Sequence, residues 1–132
     1  MASIASPQLA IETNPVQKKA TITVSCDVEF TEFEVNAMTL LGLSYSLRCD
    51  LLNMEMLYPE SVVAFAEQKL PGVPGRGQSH AHATFEAATA MNALHVYIFG
   101  KDTLVAELTL TNDESGVTTV MRTPAVAVNL AA

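Results

Sequence analysis

The chain has 132 residues, 14 acidic and 7 basic side chains, and a formal charge of −7 at pH 7. That length, with 49% hydrophobic residues, fits one domain with a sizeable core and excludes a disordered tail. An acidic chain without a basic patch is a poor partner for nucleic acid or for an anionic membrane surface.

Residues 1–19 read as an N-terminal segment with one short edge strand near Gln8–Thr13, bracketed by Pro7 and Pro15, since proline suits a sheet edge. Residues 20–132 read as a single sandwich domain. Ala20 to Phe30 alternates without error: Ala20, Ile22, Val24, Cys26, Val28 and Phe30 against Thr21, Thr23, Ser25, Asp27 and Glu29. Successive strand side chains point to opposite faces, so this is a strand with one oily face and one wet face. Phe33, Val35 and Ala37 alternate on the opposite parity, which predicts more strand after a bulge or turn near Thr31–Glu32.

Leu43 to Leu57 reads as the second long strand. Its parity flips at Leu51–Leu52, which one extra residue would explain. Met54 and Met56 are assigned to the core. Residues 60–69 are ambiguous between helix and strand, and the all-β context favours strand. Leu70 to Gln78 is a loop punctuated by Pro and Gly; it lacks the Gly-Lys-Ser/Thr ending of a phosphate loop. Ser79 to Ala87 alternates, with Ala81, Ala83, Phe85 and Ala87 inward and His80, His82, Thr84 and Glu86 outward. Leu94–Phe99, Gly100–Lys101 and Thr103–Thr111 read as a hairpin with a two-residue turn. Asn112–Gly116 is a turn in which Gly116 is free to take positive φ. Val117–Thr123 and Val126–Leu130 complete the chain.

These segments predict an antiparallel β-sandwich of about seven or eight strands. At the level of fold alone the pattern resembles an immunoglobulin-like or fibronectin-type domain. The Cys…Trp…Cys core of true immunoglobulin domains is absent, because the chain has no tryptophan. The resemblance therefore carries over no functional residue.

Only 16% of residues are charged, against roughly 25% in an average soluble domain. Sparsely charged surface marks contact sites, so a homo-oligomer or binding to another protein is expected. No run of apolar residues is long enough to span a bilayer, and the first ten residues lack a basic head and an apolar core. A cytoplasmic chain is the default expectation, with export by another route left open. Cys26 and Cys49 fall on apolar strand faces and read as free thiols, with a cross-core disulfide as the alternative.

Two constellations stand out. His95, Tyr97, Phe99 and Val105 fall on outward parity and form the expected partner-binding stripe. His80 and His82, two apart on a strand, could grip one zinc, nickel or copper ion if His95 joined them. Otherwise they are solvated surface histidines, and no cofactor is expected. A copper site fails because no histidine follows Cys49 at close spacing. Asp27, Glu29, Glu32 and Glu34, and the pair Asp113 and Glu114, read as solvated acidic groups without a calcium-loop pattern. No nucleophile elbow is present. The chain thus reads as a non-enzymatic interaction or structural module that self-associates or joins a larger assembly. The alternative is a small-ligand binder, taking metal through His80/His82 or carbohydrate through its loops.

Overall fold

The computed structural model describes residues 1–95 and 100–130. In chain order the elements are β1 (Ser3–Asn14), β2 (Lys19–Glu29), α1 (Glu32–Leu41), β3 (Tyr45–Asn53), β4 (Ser61–Ala64), β5 (Gln68–Leu70), β6 (His80–Ala90), α2 (Met91–Leu94), β7 (Asp102–Asn112), β8 (Thr118–Arg122) and β9 (Val126–Val128). One sheet has the order β1-β2-β6. The other has the order β4-β3-β7-β8, with β5 also on β3 and β9 also on β7. Every pairing is antiparallel. The result is a β-sandwich of nine strands among the described residues.

The alternation in β2 does what its pattern requires. Ala20, Ile22, Val24, Cys26 and Val28 are each at most 1% exposed. Opposite them, Leu47, Cys49 and Leu51 of β3 and Leu104, Ala106, Leu108 and Leu110 of β7 supply the other inner face of one core. β1 is longer than expected. It pairs with β2 along its whole length, and its register breaks between Ala5 and Gln8. Pro7 and Ser6, whose φ is +51°, sit at that break. An edge strand tolerates it because its outer N–H groups have no ladder partner to lose.

Three expected elements are corrected. Residues 32–41 are a helix, not a strand after a bulge or turn. Thr31 caps it: its hydroxyl accepts from Glu34 N, and the Glu34 carboxylate accepts from Thr31 N at 2.9 Å. This reciprocal capping box satisfies two helix-end donors at once. Gly42 ends the helix at φ +68°, with its N–H on Ala37 O, a conformation that costs other residues more. Second, β3 stops at Asn53 rather than Leu57. Asn53 is fully buried, and its side-chain oxygen accepts from Glu55 N at 3.0 Å, which turns the chain. The expected irregularity at Leu51–Leu52 is present in the β3–β4 register. Third, Leu94, expected to open a strand through Phe99, instead closes a single helical turn, Met91–Leu94. Residues 96–99 lie outside the described residues.

Both thiols are free and buried. Burial, then the neighbouring Asp27, pushes Cys26 up to about 11. Burial, then Asp50 and Cys26, pushes Cys49 up to about 12. The thiolate is the reactive form. Folded protein at pH 8 is therefore expected to leave both cysteines unreacted toward an aromatic disulfide reagent, and unfolding in urea to release two equivalents. Rapid native labelling of either would contradict the packing.

Candidate functional site

The sandwich has two ends with different chemistry. At one end lie α1, the 71–79 loop and the 112–116 turn. At the other lie the β1–β2 turn, α2, and the start of β7. The registers place them so, because Tyr45 pairs with Asn112 at the first end and Asn53 with Leu104 at the second.

At the helical end, α1 turns a strongly apolar side outward. Phe33, Leu40 and Leu41 are 81%, 79% and 80% exposed. Ala37, which falls between them at about 100° per residue, is only 7% exposed and lies at the groove between Phe33 and Leu41. Phe33, Leu41 and Leu43 border a groove of about 460 Å3, closed on its far side by Asn112, Glu114 and Ser115.

The support beneath this surface is polar and fixed. Glu34 is 9% exposed. Its carboxylate accepts from Ala2 N at 2.9 Å and from the Tyr45 hydroxyl at 2.6 Å, besides Thr31. Burial alone would raise the Glu34 carboxyl, but the bonds from Tyr45 and Thr31 outweigh it and the net direction is down. The 112–116 turn is tied by Asp113, which accepts from Ser44 Oγ at 2.6 Å and Ser46 Oγ at 2.5 Å and pairs with Lys69 at 3.3 Å. The loop is tied by Gly77 N, which donates to Thr39 Oγ1 at 3.0 Å. A Cβ at Gly77 would collide with the Val35 carbonyl and the Thr39 hydroxyl.

Of the expected partner stripe, His95 and Val105 are among the described residues. Val105 is only 7% exposed, so it offers no open contact area. It sits opposite Leu52, which is 8% exposed. Outward parity failed here because this part of the outer sheet face is itself covered. Tyr97 and Phe99 lie outside the described residues. His95 is drawn inward, its Nδ1 2.5 Å from Asp102 Oδ2.

The three histidines do not converge. His80 and His82 lie on the open face of the smaller sheet, near the helical end, and share one oxygen of Asp27, at 3.4 Å and 2.9 Å. His95 follows α2, after β6 has run its full length to the opposite end. The eleven residues of β6 span on the order of 35 Å. Among the described residues, no group of three or more His, Cys, Asp or Glu side chains is placed to hold a metal. Strand order decided this, and strand order is not written in local alternation.

No family model matches the chain, and no curated protein matches it. Among solved structures it is similar to the β-glucuronidase of Parabacteroides merdae, with a TM-score of 0.51 and 12% identity over 92% of this chain and 13% of that one. A second structure of that enzyme, with glycerol in its active site, gives 0.50 and 13% identity over the same shares. The chain thus spans about an eighth of the enzyme's length. At this identity the likeness is one of fold, and it agrees with a β-sandwich. Among the described residues, no helix is long and apolar enough to cross a membrane.

Proposed function

We propose that the protein is a non-enzymatic binding module that self-associates through the outer face of α1. The observation that carries this reading is the exposure of Phe33, Leu40 and Leu41, each at about four-fifths, on a helix fixed at both ends. Three large apolar side chains left in water cost solvation free energy that association recovers. A second copy suits the surface. Phe33 and Leu41 are eight residues apart, about 12 Å along the helix. A two-fold axis between them sets Phe33 of one copy beside Leu41 of the other, twice over, as an isologous interface requires. The groove beside Leu41 has room for a phenyl ring. The low charge content supports the same reading. The likeness to a small part of a longer enzyme chain supports a module and supplies no substrate.

Light scattering across a dilution series is expected to show a dimer for the natural chain and a monomer for Leu41→Lys. A cation in the last turn suits the helix dipole, so the unfolding free energy of that variant should stay within about 0.5 kcal/mol. A natural chain that is monomeric at all concentrations would refute self-association, and a dimeric Leu41→Lys would refute this face.

A further inference from the structure

The opposite end of the sandwich holds a second built feature, independent of the α1 surface. A cavity of about 460 Å3 opens between the β1–β2 turn and α2, bordered by Lys18, Lys19, Met91, Asn92, His95 and Leu130. Its size lies within the usual range for small-molecule sites.

The imidazole at its wall is held from behind. His95 Nδ1 meets Asp102 Oδ2, and Asp102 Oδ1 accepts from Asn53 Nδ2 at 3.0 Å. Asn53 Nδ2 also donates to Leu94 O at 2.7 Å. Asp102 and Asn53 are both fully buried, whereas the His95 side chain keeps 21% exposure. A carboxylate on Nδ1 fixes the ring and balances an imidazolium. It leaves Nε2 as the ring atom available to the cavity.

The charge around the cavity is positive although the chain is acidic. Among the described residues no Asp or Glu lines it, and two lysines do. Neither lysine makes an ion pair among the described residues. Counting Asp102 behind the ring, the local sum is positive with His95 neutral and more so with it protonated. Lys18 also holds a left-handed backbone, φ +55°, that a lysine adopts at a cost. Met91 N donates to its carbonyl at 2.9 Å, which keeps the turn against α2. Met91 and Leu130 supply an apolar floor, each at most 2% exposed.

We propose that this cavity binds a small organic oxyanion, with Lys18 and Lys19 receiving the charged head, the protonated imidazole of His95 adding a donor at Nε2, and Met91 and Leu130 packing on an apolar body. Carboxylate and phosphate heads share this chemistry, and the choice of probes separates them. Benzoate and phenyl phosphate are titrated calorimetrically into the full chain at low ionic strength, with benzyl alcohol and inorganic phosphate as controls. Saturable binding of at least one aromatic anion is expected, with none of benzyl alcohol and weaker binding of inorganic phosphate. Lys18→Gly relieves the left-handed strain, so its unfolding midpoint should hold or rise while affinity falls about tenfold. Lys19→Gln should weaken binding similarly. Absence of binding by both aromatic anions, or unchanged affinity in Lys18→Gly and Lys19→Gln, would overturn the assignment. Equal binding of inorganic and phenyl phosphate would overturn the apolar half of it.

Discussion

Replacing Asp102 with alanine is expected to lower the unfolding free energy by about 2 to 4 kcal/mol, since it takes a buried acceptor from His95 and Asn53 at about 1–3 kcal/mol for each. The carboxylate is wholly buried and accepts from two side chains that have little access to water, His95 and Asn53. Asn53 keeps its bonds to Leu94 O and from Glu55 N, so of these two donors His95 loses more. Asp102→Asn preserves volume and one acceptor oxygen, and about half the loss is expected. Urea unfolding with an unchanged m-value measures both. The pair also predicts non-additivity. His95→Ala/Asp102→Ala should be less destabilising than the sum of the single changes, because the second change removes a group already stranded by the first. An Asp102→Ala loss below about 1 kcal/mol would mean that the buried pair does not form in solution. The same variant bears on the cavity, since an imidazole without its carboxylate loses its fixed orientation.

What could be read in advance divides along physical lines. β2 was legible because a period of two over eleven residues has no helical counterpart, and each inward position is buried. The inward faces of β6 and β7 were legible for the same reason. α1 was misread because Phe33, Val35 and Ala37 make only three alternations, too few to separate two periods. The local capping chemistry held the better signal: Thr31 three residues before Glu34, and Gly42 directly after the last apolar pair. Given the helix, the exposure of Phe33, Leu40 and Leu41 still does not follow from 3.6-residue geometry alone, because Ala37 lies between them and is buried. Val105, read as part of the outward stripe, was misjudged differently. Parity says which face a side chain takes and not whether that face is open, and Val105 is covered. The cavity at His95 was beyond reach, since it joins residues 18, 19, 53, 95, 102 and 130 through strand order alone. Glu34, grouped with solvated acids by its neighbours in sequence, is nearly buried because three separate elements bring it donors.

Replacing Glu34 with alanine is expected to cost about 3 kcal/mol. One carboxylate there serves Thr31 at the helix start, Tyr45 at the start of β3, and Ala2 before β1. Its loss takes this acceptor from the hydroxyl of Tyr45, a residue 4% exposed, and from the buried Ala2 N–H. Each such orphan costs about 1–3 kcal/mol, and the lost cap adds about 1 kcal/mol. The full sum is not expected, because an adjoining cavity of about 190 Å3 borders Glu34 and Tyr45 and admits water as a substitute partner. Glu34→Gln keeps the capping geometry and should cost less. The pH dependence follows from the direction of the shift. The folded carboxyl sits below its ordinary value, so the unfolded chain binds the proton more readily. The stabilisation is then complete above the unfolded value, near 4.3, and disappears as pH falls through the depressed folded value. Asp113 behaves alike: burial would raise it, but bonds from Ser44, Ser46 and Lys69 bring it down. Thermal midpoints are therefore expected to fall steeply below about pH 4. Glu34→Gln should flatten that fall in part and leave the Asp113 share. A Glu34→Gln variant with the full acid slope of the natural chain would show that the carboxylate is not the acceptor joining helix, sheet and edge strand.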